Sequence, residues 1–329
     1  MFFRKIGKGV LFASALALSF GAQADDYYKS GDEIVVLQGF QPGGGSDALA
    51  QLIQPYWAKE LGVNFINRYQ PGATGAIAWT QLARQTEADG RTISITNTPM
   101  LMTNYMMHPD LKYNIDDFDP IANIVTDPGV MVVKADSPYE TMEELLDAAR
   151  ENPGTITVGN SGVGGDDFFS VIMIEKAADV KFRSVPFAGD GPSWQAALGG
   201  KIDASSNNLG ITYPQIQAGN LRVLAIYSDE RSPDLPDVPT LKELGIDVVN
   251  GSSRGYSAPK GIPEEARQQM IEALDRVIAN PDFQADAKKH ALPVDYKAGE
   301  DYGNFLKKQE EDFSEIWEEI KDDYESDNK

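Results

Sequence analysis

A glycine-rich turn between a predicted strand and a predicted helix is the feature that most constrains how this chain folds. The apolar run at residues 34–37 predicts a strand, residues 39–47 read GFQPGGGSD, and apolar residues then recur at helical spacing. Glycine allows positive φ and close approach to the main chain, and a helix N-terminus exposes unpaired N–H groups. We therefore expect this turn to hold an anionic group, with Ser46 or Asp47 capping the helix.

The same order of strand, turn and helix recurs along the sequence. Glycine turns at residues 70–75 and 160–167 each lead into a predicted helix. One predicted strand ends just before Thr98, another leads to residues 188–190, and a third ends near Asn208. This alternation predicts an α/β fold with a mainly parallel sheet.

The first 24 residues have the pattern of a secretory signal peptide. Arg4, Lys5 and Lys8 precede an apolar run at residues 10–20, and Ala22-Gln23-Ala24 is a small-x-small cleavage site. The run is shorter than the roughly 20 apolar residues that a membrane span needs. We therefore expect the rest of the chain, which is long enough for two domains, to be exported.

The composition is strongly acidic, with 29 Lys and Arg residues against 50 Asp and Glu residues and a formal net charge of −21. Nucleic acid is therefore not an expected partner, because its phosphates would be repelled. An anionic ligand would also be repelled at long range, so an anion site must rely on local N–H donors. We interpret the acidity mainly as a solvated surface, with a cation-binding role as the weaker alternative.

Residues suited to catalysis are sparse. The absence of cysteine excludes thiol catalysis and cysteine-bound metals, and the two histidines are His108 and His290. Residues 159–163 read GNSGV, which resembles a nucleophile elbow around Ser161 but lacks its last glycine. The first turn matches neither a phosphate-binding loop nor a dinucleotide fingerprint. We therefore expect a binding protein without catalytic residues, cofactor or metal rather than an enzyme.

A binding site built from the glycine turns would hold a carboxylate with uncharged donors. Backbone N–H groups at helix N-termini and the hydroxyls of Ser46, Thr74 and Ser161 are the candidate donors. No buried arginine is expected in this arrangement.

Seven short motifs follow one another along the chain after residue 24. They are QPGGGSD at residues 41–47, QPGATGAI at 70–77, DGRT at 89–92, GVGG at 162–165, GGKID at 199–203, DVPT at 237–240 and APKGIP at 258–263. Each motif is weak alone, but their order and spacing are specific. In this order the chain resembles the solute-binding proteins of tripartite tricarboxylate transporters, often called the Bug family.

The resemblance implies an α/β periplasmic binding protein of type II, in which two lobes close on a ligand. Each lobe would contain a central, mainly parallel sheet flanked by helices, with the ligand in the cleft between the lobes. The first lobe would comprise residues 25–126 plus 228–329, and the second lobe residues 127–227.

The resemblance also implies which residues line the cleft. They come from the three glycine turns and from a later loop: Phe40, Gln41, Gly44, Ser46, Asp47, Thr74, Gly75, Ser161, Gly164, Asp166, Ala188, Gly189 and Asp190. Thr98 and Asn208, polar residues at two strand ends, complete the candidate set.

Two positions depart from the family pattern. Thr74 stands where the family often has glycine, and the family often has a histidine near Phe168. Phe40, Phe168 and Phe169 are candidates for lining a pocket for an aromatic or longer aliphatic acid. For Phe169, core packing is the stronger interpretation.

The function that the resemblance implies is the capture of a small organic carboxylate in the periplasm by a monomer. The protein would then deliver this ligand to the subunits of a membrane transporter. Two alternatives stay open at this point: a sensory module that presents the ligand to a membrane receptor, and an exported esterase-like enzyme built around Ser161.

Overall fold

The computed structural model describes residues 26–290 and 292–327. The predicted signal peptide at residues 1–24 therefore lies outside the described residues. No helix in the described ranges is both long and apolar enough to cross a membrane.

Strands and helices alternate along the described residues, as the sequence predicts for an α/β fold. In chain order the strands are β1 (Glu33–Gln38), β2 (Asn64–Tyr69), β3 (Thr92–Thr98), β4 (Phe118–Lys134), β5 (Thr157–Asn160), β6 (Arg183–Pro186), β7 (Ala204–Asn208), β8 (Leu221–Ile226), β9 (Gly251–Pro259) and β10 (Val294–Ala298). The α-helices are α1 (Gly45–Leu61), α2 (Ala76–Gln85), α3 (Met100–Met107), α4 (Met142–Glu151), α5 (Asp166–Ala178), α6 (Asp190–Leu198), α7 (Leu209–Gln217), α8 (Glu264–Ile278), α9 (Pro281–Lys289) and α10 (Gly299–Asp327).

The long strand β4 belongs to two sheets at once. Its first part, up to Pro128, pairs with β9 and β10, and its second part, from Gly129, pairs with β7 and β8. The first sheet continues from β9 through β3 and β1 to β2, and the second from β7 through β5 to β6. The molecule thus has two halves that share one strand.

Each sheet combines parallel and antiparallel strands. β1 is parallel to β2 and β3, and β5 is parallel to β6 and β7, as strand–helix alternation predicts. β4 and β9, by contrast, are antiparallel to each other and to their remaining neighbours. They carry the chain between the halves in opposite directions, so they must run antiparallel. The expected parallel strands therefore form the outer part of each sheet, and its centre differs from the expectation.

Apolar side chains are buried on both faces of each sheet. In the first sheet, α1, α8 and α9 cover one face around Trp57 and Tyr256, and α2, α3 and α10 cover the other around Trp79. In the second sheet, α4 and α5 pack around Leu145, and the opposite face packs around Leu209 of α7. Each half therefore has its own hydrophobic core.

The long C-terminal helix α10 contacts both halves. Tyr302, near its start, is fully buried beneath the first sheet. Farther along, Phe313 packs against Phe169 of α5, with 5.2 Å between the ring centroids. Lys176 of α5 also forms an ion pair with Glu319. One helix therefore fixes α5 of the second half against the first half.

Gly255 of β9 lies where the two strands between the halves pass beneath α10. A Cβ atom at this position would lie 2.4 Å from the carbonyl oxygen of Ala122 and 2.7 Å from the hydroxyl of Tyr302. We expect Gly255→Ala to lower the free energy of unfolding by about 2–3 kcal/mol, because backbone and ring must both move. Urea unfolding followed by circular dichroism measures this change.

Gly191→Ala provides the matched control, because a Cβ atom there would meet nothing within 4 Å. Gly191 lies in α6, and alanine is a better helix former than glycine. The free energy of unfolding of Gly191→Ala should therefore equal that of the original chain or exceed it slightly. Equal stability of the two variants would contradict the packing described for β9.

Candidate functional site

The first glycine turn is held by Asp47 from inside the helix. The Gly43 N–H donates to Asp47 Oδ2 at 2.8 Å, and the Tyr69 hydroxyl donates to Asp47 Oδ1 at 2.6 Å. The helix α1 begins at Gly45, with Gly44 in the capping position and no side-chain cap. The expectation that Ser46 or Asp47 caps this helix is therefore wrong. Asp47 lies in the first turn of α1 and folds back on the loop instead.

Ser46 is buried against the end of β3. Asn97 Nδ2 donates to Ser46 Oγ at 2.9 Å, and the two side chains are almost fully buried. Next to Asn97, the hydroxyl of Thr98 is buried and has no hydrogen-bond partner among the described residues. The first turn and the end of β3 thus bring several polar groups to one buried place.

The second glycine turn packs directly against the first. A Cβ atom on Gly39 would lie 2.8 Å from Cα of Gly75, so this contact requires glycine. Asn104 Nδ2 donates to the carbonyl oxygen of Thr74 at 3.0 Å and holds the turn from α3. Thr74 itself has a positive φ of 49° and is exposed.

The third glycine turn, which lies in the second half, joins groups from both halves. Thr103 Oγ1 of α3 donates to the carbonyl oxygen of Gly164 at 2.6 Å. The Gly189 N–H donates to the carbonyl oxygen of Ser161 at 3.0 Å, which places the loop at residues 188–190 beside the turn. Asp190 is half-buried in this loop.

A buried arginine lies between the first and third turns. The guanidinium of Arg254 is 2.9 Å from the position of a Cβ atom on Gly45. Its Nη2 donates to Asn208 Oδ1 at 3.3 Å, and Asn208 Nδ2 donates to Asp166 Oδ2 at 2.6 Å. A chain of contacts therefore runs from Gly45 through Arg254 and Asn208 to Asp166.

Arg254 corrects the expectation of a site without a buried arginine. Its side chain is 8% exposed, and its Nη1 lies 3.5 Å from Asp127 Oδ2. A guanidinium has five N–H donors, and the described contacts of Arg254 use two of them. The described contacts therefore leave part of its hydrogen-bonding capacity unused.

The sequence itself indicates that Arg254 is buried, although none of the seven family motifs contains this residue. Tyr256 and Ala258 are apolar and alternate with polar residues, so strand periodicity places Arg254 on the same side of β9. Arginine is rarely buried without a partner. A charged residue in phase with buried positions is therefore a candidate for a binding site.

The carboxylates around Arg254 are strongly perturbed. Burial raises the pKa of Asp127, against the opposing effect of the Arg254 charge. Burial and the nearby Asp190 carboxylate raise the pKa of Asp166 to about 7. Burial, Asp166 and Asp190 raise the pKa of Asp167 well above its usual value. The raised pKa values favour the protonated forms of these carboxyls, which limits the negative charge that the site holds near neutral pH.

The aromatic candidates divide into two kinds. Phe40 is partly buried against Trp79, with 6.4 Å between the ring centroids, next to the first turn. Phe168 and Phe169 are buried among the aromatic residues of α10. They belong to the core between α5 and α10, which also corrects the view of Phe168 as a pocket residue. Gln41 and Ala188 are exposed.

A cavity of about 930 Å³ lies beside this candidate site. Thr126, Pro128, Ser253, Lys288 and Phe305 are among its lining residues. Asp127, the ion-pair partner of Arg254, also lines the cavity, so the cavity adjoins this ion pair. No residue of the sequence-predicted candidate set lines it.

Most of the chain matches one known protein family. Residues 49–321 match the tripartite tricarboxylate transporter family receptor, TctC. The chain belongs to this family. A UPF0065 protein from the tcbD-tcbE intergenic region of a Pseudomonas species is 29% identical to this receptor, over 95% of this chain and 93% of the relative. Protein BugT of Bordetella pertussis is 26% identical, over 76% and 77% of the two chains.

Solved structures give the same family and fold. A TctC solute-binding protein from Polaromonas, solved without ligand, superposes with a TM-score of 0.72 at 29% identity, over 88% of this receptor and 98% of that chain. The periplasmic binding protein BugD superposes with a TM-score of 0.78 at 25% identity, over 88% and 97%. The expected fold, a two-lobe periplasmic binding protein of type II, is confirmed.

The raised pKa of Asp166 gives a test of its burial. Below about pH 4 this carboxyl is protonated in both folded and unfolded chains, and above pH 7 both would ionise. Because the folded chain holds this proton more tightly, protonated Asp166 stabilises the folded state fully below pH 4. This stabilisation is lost as the pH rises through 7. We expect Asp166→Asn to gain stability relative to the original chain, by roughly 1–3 kcal/mol, between pH 4 and pH 8.

Denaturant unfolding at several pH values measures this difference. Asp110→Asn is the matched control, because Asp110 is exposed, and its stability should follow that of the original chain at every pH. If the free energy of unfolding depends on pH in the same way for Asp166→Asn and for Asp110→Asn, Asp166 is not buried as described.

Proposed function

We propose that this receptor is an exported protein that captures a small organic carboxylate between its two lobes and delivers it to a tripartite tricarboxylate-type membrane transporter. It acts in the periplasm as a monomer, after removal of residues 1–24. The family description, which names a transporter receptor, supports the delivery step.

The lobes of this proposal are residues 25–126 plus 228–329 and residues 127–227. The change of pairing along β4 between Pro128 and Gly129 supports the first boundary. The Tyr227 N–H donates to the carbonyl oxygen of Gly129 at 2.8 Å. The points where the chain enters and leaves the proposed second lobe are therefore adjacent, which supports the second boundary.

The observation that carries the proposal is the chain of contacts from Gly45 through Arg254 and Asn208 to Asp166. It links the first turn of one lobe to the third turn of the other through buried polar groups. Arg254 has unused donors there, and the buried hydroxyl of Thr98 has no partner among the described residues. Unsatisfied buried groups between two lobes are what a bound polar ligand would satisfy.

The arrangement favours binding over catalysis. Ser161 forms no described hydrogen bond with either histidine, and its hydroxyl interacts with the buried Asp167 carboxyl. The raised pKa of Asp167 favours its protonated form, which is a poor base. A serine nucleophile needs a base within hydrogen-bond reach. We therefore propose that the ligand leaves unchanged.

Two structural relatives from Rhodopseudomonas palustris guide the choice of test ligands. One is MatC with bound malate, and the other was solved with adipate. Both are 24% identical to this receptor and share its fold. They make malate and adipate suitable members of a ligand panel.

Isothermal titration calorimetry against mono-, di- and tricarboxylates, with malate and adipate included, tests the proposal. We expect at least one carboxylate to bind with a dissociation constant in the micromolar range or below. A thermal-shift screen provides a second readout, because a ligand that binds only the folded state raises the melting temperature. If no carboxylate binds in either assay, the proposal is wrong.

The two serines of the opposing turns test the location of the site. We expect Ser46→Ala combined with Ser161→Ala to weaken carboxylate binding about tenfold, because two hydroxyl hydrogen bonds are lost. The variant should stay folded with a lower melting temperature, because Ser46→Ala leaves the buried Asn97 amide without its acceptor. Calorimetry and thermal unfolding measure the two quantities.

Ser30→Ala combined with Ser137→Ala is the matched control. It also removes one serine hydroxyl from each proposed lobe, away from the glycine turns. Its affinity should equal that of the original chain. If both double variants bind equally well, Ser46 and Ser161 do not belong to the site.

A further inference from the structure

Helix α5 of the second proposed lobe packs against two helices of the first. Its residues Phe168 and Phe169 are buried in an apolar cluster with Phe313 and Trp317 of α10. Met107 of α3 packs against the same cluster. The cluster is separate from the hydrophobic cores of the two halves. We call this contact between the three helices the α3–α5–α10 clamp.

Polar contacts reinforce the clamp at both ends of α5. Thr103 of α3 is fully buried, and its Oγ1 donates to the carbonyl oxygen of Gly164, just before α5, at 2.6 Å. In the last turn of α5, Lys176 forms an ion pair with Glu319 of α10. The first lobe therefore holds α5 along its length, from the glycine turn before it to its last turn.

The clamp lies beside the cleft. Val163 of the third glycine turn packs against the apolar cluster, and a Cβ atom on Gly164 would lie 3.1 Å from Sδ of Met107. The same turn contains Ser161, a candidate ligand-binding residue. A rotation that opens the cleft carries this turn away from α3. It therefore breaks the hydrogen bond of Thr103 and exposes apolar surface to water.

Two kinds of contact thus join the lobes at the cleft. Around Arg254 and Thr98, polar groups keep hydrogen-bonding capacity that the described residues do not use. The clamp, by contrast, is complete in itself, because its rings pack on one another. The ring centroids of Phe169 and Phe313, for example, are 5.2 Å apart. Burial of apolar surface favours association whether or not a ligand is present.

We propose that the α3–α5–α10 clamp holds the two lobes together without a ligand. The receptor is then largely closed before it binds, and it opens only when α5 is released from α3 and α10. A ligand that binds the closed state pays less for closure when that state is already populated. This inference uses the proposed lobes, but it does not depend on which ligand they bind.

The distance between the lobes tests this proposal, and the absence of cysteine from the chain allows selective labelling. Ile77 and Gln195 are exposed, and they lie in α2 and α6, each of which follows a cleft loop of its own lobe. The double substitution Ile77→Cys and Gln195→Cys carries two spin labels. Double electron–electron resonance without ligand gives the distance distribution, and we expect its main population at the separation of this structure.

Phe313→Ala removes the clamp from the side of α10. We expect it to raise the ratio of long-distance to short-distance populations about tenfold or more, because a buried ring no longer holds α5. Phe283→Ala is the matched control, since Phe283 is fully buried but lies in the core of the first half alone. The control should lower the melting temperature and leave the distance distribution unchanged.

The hydrogen bond from Thr103 provides a variant that disturbs packing less. Thr103→Val keeps a similar shape and removes the donor to Gly164. We expect the ratio of long-distance to short-distance populations to rise about threefold or more. Thr103→Ser restores the hydroxyl and should return this ratio towards that of the original chain. A purely structural role of Thr103 would change the melting temperature and not the distance.

Three results would decide against the clamp or leave it standing. If the labelled original chain shows mainly a longer distance than this structure, the lobes are open without ligand and the inference is wrong. It is also wrong if Phe313→Ala and Thr103→Val both keep the original distribution. If Phe313→Ala does not fold, Thr103→Val and its rescue by Thr103→Ser decide alone. Carboxylate binding is measured separately by calorimetry, so failure of this inference leaves the proposed function intact.

Discussion

The pairing of Arg254 with Asp127 lies at the point through which both sheets pass. Asp127 is on β4 just before the pairing of that strand changes from one sheet to the other, and Arg254 is on the neighbouring strand β9. The Gly210 N–H donates to Asp127 Oδ1 at 2.9 Å and ties this pair to α7 of the second lobe. Loss of one member of a buried ion pair costs about 3–5 kcal/mol. The same contact therefore orders the junction between the lobes and sets the charge of the cleft.

The acidity of the whole chain has a consequence for this cleft. A net charge of −21 repels an anionic ligand at long range, although salt screens this repulsion beyond about 8–10 Å at physiological ionic strength. A carboxylate ligand would therefore depend on donors at short range. The guanidinium of Arg254 and the N–H groups at the helix N-termini are such donors in this structure.

The sequence predicted those parts of the receptor that depend on local backbone chemistry. The glycine turns lie where strands end and helices begin, because positive φ and close contacts such as Gly39 with Gly75 require glycine. Arg254 was missed because its burial depends on strands that are distant in sequence. The helix α9 and the edge strand β10 were missed for a similar reason, since tertiary pairing with β4 and not local periodicity fixes β10. Whether the predicted turn residues bind a ligand stays a prediction.

The two phenylalanines that follow the acidic pair explain how α5 tolerates buried carboxylates at its start. Phe168 and Phe169 are 5% and 0% exposed and pack against α10, which is anchored in the first lobe. Burial of each ring contributes about 1.5–3 kcal/mol, which is comparable to the cost of leaving a polar group without a partner. Aromatic packing behind α5 therefore offsets the cost of burying Asp166 and Asp167 at the start of this helix.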